Sequence, residues 1–284
     1  MIFGSYGLLC FSAANEIAVK DESAIPYHQK LWLCSHNAMS NLEDAWLFPN
    51  QLYTIANQLK RGVHAQMWDV WDLDGKACLR HGNGTIFIPQ YTNFEDALKT
   101  VKSYLDANRQ AIITLILESH VKDELLWDNV VKAELENYVM NKENFSKMLT
   151  LGEMSELGQR LIIFSDCETN HFLYLWDHAV ETDWANDDVT KMKDQLRRGK
   201  KENPLFIVNH FVTNPLPSPE CSKLLNKESQ ILQRLEQLEK MYNKQANFIV
   251  LDFVGDQNES QTVEKINALR LQKDEQESAS DANS

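Results

Sequence analysis

The sequence predicts an α/β fold, a single domain built as a distorted or incomplete TIM-type (β/α) barrel. Short apolar runs alternate with amphipathic stretches along the chain. Most of these runs are continuously apolar, as strands of a parallel sheet are when both faces are covered. No linker or internal repeat interrupts the alternation. A doubly wound open sheet competes, but no Gly-rich phosphate loop follows any of the strands.

The predicted strands are residues 30–34 (KLWLC), 63–70 (VHAQMWDV), 76–80 (KACLR) and 111–117 (AIITLIL), then 160–164 (RLIIF), 205–208 (LFIV) and 247–253 (NFIVLDF). Seven strands rather than eight make the expected barrel incomplete. Residues 93–108 read as a helix, because Asn93 opens the stretch and Phe94, Ala97, Leu98, Val101 and Leu105 share one face. Residues 224–244 read as another, with a stripe of Leu225, Leu232, Leu235, Leu238 and Met241. The barrel is assigned to residues 15–270. The tail, 271–284, has no large apolar residue and is expected to be disordered.

The chain has 284 residues, 43% hydrophobic and 24% charged, enough for a sizeable core. Its 28 Lys and Arg against 41 Asp and Glu give a net charge of −13, with no basic stripe for nucleic acid. Such a charge also opposes long-range attraction to an anionic membrane, so lipid contact must come from local features. Residues 1–14 form an apolar stretch ending in Ser12-Ala13-Ala14, the pattern of a signal peptide, although no Lys or Arg precedes it. The alternative is a buried first strand or helix. Export to a secreted or periplasmic location would permit disulfides among Cys34, Cys78, Cys167 and Cys221, and buried free thiols are the other reading.

Barrel enzymes carry their chemistry at the C-terminal ends of the strands. Here those ends carry Ser35-His36-Asn37, Asp69, His81-Gly82, Glu118, Ser165-Asp166, Asn209-His210 and Asp252. A single such histidine is usually structural, and an Asp after a strand is often a helix cap. Glu118 and Asp252 are harder to explain that way, because a carboxylate inside an apolar run needs a partner. Coincidence explains one of these residues well and six of them badly.

The motifs SHNA at 35–38, FPNQ at 48–51, MWDV at 67–70 and GKACLRHG at 75–82 resemble the X-domain family of phosphatidylinositol-specific phospholipases C. So do RLIIFS at 160–165, LYLW at 173–176, Val180-Glu181, VNHF at 208–211 and NFIVLDF at 247–253. The resemblance runs from about Ser35 to Asn267 in unbroken motif order and is nearest to the single-domain members.

It implies a distorted barrel that cleaves an inositol phospholipid to diacylglycerol and an inositol cyclic phosphate. It also implies general acid–base roles for His36 and His81, with Asp252 orienting His36. Both proton transfers suit groups that titrate near neutral pH. One branch of the family supplies an Arg two residues after the second-strand acid, where this chain has Trp71. The other branch binds calcium, and Asn37, Asp69 and Glu118 stand where it has ligands. These are hard oxygen donors, so Ca²⁺ is the expected cofactor, ahead of Mg²⁺. Asn209, Trp176 and Trp71 are the expected substrate-binding residues, and Trp184 is a further candidate wall. Rim aromatics such as Trp46 and Phe48 are candidates for transient contact with a lipid interface, with core or loop packing the favoured account of each. The basic run 197–201 could meet phosphates, although a run of charge is usually solvated surface. No protein partner is implied. The alternatives are a non-catalytic head-group binding module on the same barrel, which Trp71 and His64 would favour, and a glycerophosphodiester phosphodiesterase-like enzyme, for which His36-Asn37 lacks the His-Arg pair.

Overall fold

The computed structural model describes residues 22–82, 90–213, 216–255 and 258–281. The expected signal peptide at 1–14 lies outside the described residues. Among them the strands are β1 (Trp32–Ser35), β2 (Ala65–Leu73), β3 (Lys76–Leu79), β4 (Thr92–Asn93), β5 (Ile113–His120) and β6 (Leu161–Ser165), followed by β7 (Leu173–Tyr174), β8 (Ala179–Thr182), β9 (Leu196–Gly199), β10 (Leu205–Asn209) and β11 (Phe248–Leu251). The helices are α1 (Ile55–Lys60), α2 (Phe94–Ala107), α3 (Asp123–Lys132), α4 (Lys142–Phe145) and α5 (Leu151–Leu157), then α6 (Leu175–His178), α7 (Pro219–Leu225), α8 (Glu228–Tyr242) and α9 (Glu259–Asp281).

Strands pair in the order β7-β6-β5-β2-β1-β11-β10-β8-β9, with β3 and β4 beside β2. The first eight of these are mutually parallel and follow chain order around a curl. Among the described residues no pairing joins β7 to β8, so the barrel is open there. The physical reason is local: β7 has two residues, and the single turn α6 is too short for a covering crossover. This is the incomplete α/β barrel that the sequence predicts.

Three details differ from expectation. Residues 76–79 form no barrel strand but the antiparallel return of a hairpin with β2. The parallel strands β7 and β8 escape notice because they are short and β8 ends in Glu181-Thr182. The stretch 271–281, expected to lack structure, continues α9, because Gln, Lys, Glu and Ala favour helix even without a core to join.

Alternation along the strands sorts side chains into two sets. Trp32 and Cys34, Ala65 and Met67, Ile162 and Phe164, Leu205 and Ile207, and Phe248 and Val250 share one cluster. Tyr27, ahead of β1, joins it and bonds Thr114 of β5 through its hydroxyl at 2.8 Å. The alternate residues pack outward, under α2 and α3 on one side and α8 and α9 on the other. Two residues beyond each inward apolar pair, the same face carries His36, Asp69, Asp166, Asn209 and Asp252. The strand period thus converts a row of core residues into a ring of polar ones at one end of the barrel.

Candidate active site

Four residues of that ring, all but Asp252, line a cavity of about 130 Å³. Its walls include His36, Asn37, Asp69, Glu118, Asp166, Glu181, Arg198 and Asn209, with Trp184 and Phe211 as aromatic surfaces. Consecutive strand residues normally face opposite ways, yet His36 and Asn37 both line it. Asn37 takes a left-handed conformation (φ 46°), which Asn tolerates better than most residues, and the chain turns there.

His36 is held on three sides. Its Nδ1–H donates to Asp252 Oδ1 at 2.9 Å, which leaves Nε2 free to accept a proton. Its ring stacks on Phe211 with centroids 4.0 Å apart and 11° between planes. Asn50, also buried, donates to the same Asp252 oxygen at 3.2 Å. Burial pulls the His36 pKa down, but the Asp252 charge and hydrogen bond, with Asp69 and Glu118 farther off, raise it above the usual imidazole value. Asp252 is itself 1% exposed and anchored by its backbone: Asn226 donates to its carbonyl, and Asn50 accepts from the next amide, Phe253.

His81 reaches the site through the hairpin. β3 runs back along β2, and the Arg80 amide donates to the Asp69 carbonyl, which brings the following residue level with the cavity. His81 Nδ1 accepts from Asn37 Nδ2 at 3.0 Å and lies 3.8 Å from Asp69 Oδ2. In the neutral ring this leaves the proton on Nε2; in the charged ring Asp69 is the nearby counter-ion. Asn37 therefore links the two histidine shells, since its amide also donates to Asn50 at 3.4 Å.

The expected metal ligands Asn37, Asp69 and Glu118 all line the cavity. Burial and then the Asp69 charge push the Glu118 pKa up, while His120, 3.1 Å from its Oε1, draws it down. Crowded carboxylates with a hard amide carbonyl beside them suit a cation with oxygen preference. Among the described residues no three His, Cys, Asp or Glu side chains form a metal-binding group, so such an ion would need Asn37 and solvent or substrate oxygens to complete its shell.

Of the expected substrate-binding residues, Asn209 lines the cavity and donates to Glu181 and to the Thr182 carbonyl. Trp71 does not line it; its ring stacks on His120, 3.8 Å away, at the edge behind Glu118. Trp176 also stands back from the wall, 4.5 Å from the Arg198 guanidinium, while Trp184 lines the cavity and covers that guanidinium from 4.3 Å. His210 faces away from the barrel. Its Nε2–H donates to the Leu225 carbonyl, and burial lowers its pKa to about 4. His64, bonded to the Tyr104 hydroxyl, is likewise lowered to about 4 by burial and is structural. All four described cysteines are free thiols.

Three contributors have no counterpart in the sequence-based site: Asn50, Glu181 and Arg198. Asn50 sits in a loop with no strand end to mark it. Glu181 ends a four-residue strand. Arg198 belongs to a basic run that fits either a phosphate contact or solvated surface, and only the placement of β9 decides which.

A family model described as PI-PLC X 1 matches residues 27–267. The chain is 28% identical over 229 residues to a PI-PLC X domain-containing protein of Arabidopsis thaliana, covering 71% of this chain and 53% of that protein. It therefore spans about half the length of that relative. The phosphatidylinositol-specific phospholipase C of Listeria monocytogenes superimposes with a TM-score of 0.61 at 16% identity, covering 88% of this chain and 97% of the other. A Staphylococcus aureus phosphatidylinositol-specific phospholipase C gives 0.58 at 13% identity, covering 87% and 95%. The open barrel is thus shared with these enzymes, and the span of the family match settles membership: the chain belongs to the PI-PLC X domain family.

Proposed function

We propose that the protein is a phosphodiesterase that cleaves an inositol phospholipid by general acid–base catalysis. The observation that carries this reading is the His36–Asp252 pair, with His36 on the wall of the polar cavity beside Asn37, a wall residue that is itself bonded to His81. In the first step His36 Nε2 takes the proton of the inositol 2-hydroxyl, and that oxygen bonds to phosphorus. The phosphorus–oxygen bond to diacylglycerol breaks, and His81 gives the leaving oxygen its proton. The products are diacylglycerol and the 1,2-cyclic phosphate; water can open the ring by the reverse proton traffic. Asp252 keeps the His36 proton on Nδ1 and stabilises the imidazolium.

Asn37, Asp69 and Glu118 would hold a divalent cation, Ca²⁺ by their hardness, and it would offset charge growing on the phosphate oxygens. While His81 is neutral, Asn37 commits its NH₂ to His81 and Asn50; when His81 is charged, its Nδ1–H turns to Asp69, and in both states the Asn37 NH₂ keeps Asn50 and leaves the carbonyl for the ion. The cavity suits a polar head group, and the acyl chains stay outside in the membrane. Leu42, Leu47 and Phe48 are exposed in the loop that carries Asn50, and this apolar edge fits transient seating on a lipid surface. None of the described helices is long and apolar enough to cross a membrane. Export directed by residues 1–14 belongs to the same reading.

The test is turnover of phosphatidylinositol vesicles, with cyclic inositol phosphate followed by phosphorus NMR, in Ca²⁺ and in chelator. Cyclic product that disappears in His36→Ala and in His81→Ala, with melting unchanged, is the expected result. Lack of product from the wild type under every condition would leave head-group binding as the function.

A further inference from the structure

Among the described residues that line the cavity there is one permanent cation, and it comes from a strand outside the parallel barrel. Four carboxylates, those of Asp69, Glu118, Asp166 and Glu181, line the cavity against the single guanidinium of Arg198. A site for a phosphate ester needs a counter-charge for the phosphate, and position 71 supplies none.

Several features hold Arg198 in place. It stands opposite Glu181 in the antiparallel β8–β9 ladder, and its Nε donates to Glu181 Oε1. Glu181 is 2% exposed and is bonded on its other oxygen by Asn209. The guanidinium lies over the indoles of Trp176 and Trp184, 4.5 and 4.3 Å from the ring centroids. Gly199 makes the strand approach possible: its φ is +80°, and a Cβ there would come within 2.1 Å of the Ala179 carbonyl oxygen.

With Nε engaged by Glu181, the two Nη groups meet no acceptor among the described residues. A guanidinium fixed at one edge, packed against two indoles and open at its fork suits a tetrahedral oxyanion. Asn209 and Phe211, two residues apart, connect this wall to His36, because Asn209 bonds Glu181 and Phe211 stacks under the imidazole.

We propose that Arg198 is the phosphate-binding residue of this cavity, its Nη fork taking non-bridging oxygens of a phosphate ester. The inference rests on the proposed function only for the identity of the ester. The phosphate can be the diester of the head group or a monoester on the inositol ring, and the two sources are separable.

The experiment measures affinity for myo-inositol 1-phosphate and for myo-inositol by calorimetry in the wild type, Arg198→Gln and Arg198→Lys. Arg198→Gln is expected to weaken the phosphate ligand about 10- to 100-fold, the effect of losing a charged hydrogen-bond pair. Inositol affinity is expected to stay within about 3-fold, and Arg198→Lys to recover part of the loss. If Arg198→Gln fails to fold with Glu181 unpaired, the Glu181→Gln/Arg198→Gln double variant takes its place.

Equal weakening of both ligands, or of neither, overturns the inference. In turnover, a loss on phosphatidylinositol and its 4-phosphate alike assigns the fork to the diester. A loss confined to the 4-phosphate assigns it to the ring monoester. A wild type that binds inositol 1-phosphate through Arg198 yet cleaves no lipid sinks the enzymatic reading and keeps this one. A wild type that cleaves lipid while Arg198→Gln binds inositol 1-phosphate as tightly sinks this one alone.

Discussion

Asp252→Asn isolates the charge behind His36 with little change of shape. The Asp252 Oδ1 atom accepts from both His36 Nδ1 and Asn50 Nδ2, so both donors require an oxygen there and orient the new amide. Its NH₂ then replaces Oδ2, which meets no donor among the described residues, so no hydrogen bond is displaced. The ring keeps its stack on Phe211. What is lost is the difference between a charged and a neutral acceptor, about 1.5–3 kcal/mol, or roughly a 10- to 100-fold fall in kcat/KM. The pH profile moves as well. In the proposed mechanism His36 acts as a base in its neutral form, so the acid limb of kcat/KM follows its raised pKa. Removing Asp252 takes away the main raising influence, and the limb shifts to lower pH. Stability follows the same linkage: a raised pKa stabilises the fold below the unfolded value and ceases to as pH rises through the folded one. The variant's loss of melting temperature is therefore greatest below about pH 6.5. Melting curves and kcat/KM against pH check both statements. An acid limb that stays in place, or moves up, refutes the His36–Asp252 assignment.

Gly199→Ala should detach β9 from β8, since the added methyl meets backbone that cannot retreat; a loss of roughly 2–4 kcal/mol by chemical denaturation, with weaker inositol 1-phosphate binding, is expected. Leu47→Ser with Phe48→Ser should reduce activity on vesicles several-fold and leave activity on dispersed short-chain substrate within about 2-fold, because these side chains are 47% and 44% exposed and touch no catalytic group.

Much of the barrel is legible because its signals are local. β1, β2, β5, β6, β10 and β11 are apolar runs whose side chains are buried on both faces, and composition alone marks them. Their polar ends follow by counting, which is how His36, Asp69, Glu118, Asn209 and Asp252 are found. Counting fails where the element is shorter than its signal, as for β7 and β8. It also misreads two placements. His81 arrives by a return hairpin and not at a parallel strand end, and His210 turns outward because its neighbour Asn209 already occupies the inner face.

The sequence by itself determined the fold class, since apolar runs are local signals, and its motifs marked His36 and His81 as the candidate acid–base pair through the family resemblance. Tertiary structure decided which neighbours complete the site. Asn50 and Asp252 are 202 residues apart, and Asp252 and His36 are 216 apart. Glu181 and Arg198 become a pair only through the β8–β9 register, and an open seam between β7 and β8 leaves an edge of the barrel free for β9 to join. A basic run has no direction until a ladder assigns alternate side chains to opposite faces. In one dimension Arg198 fits either a phosphate contact or solvated surface; in three it lines the cavity.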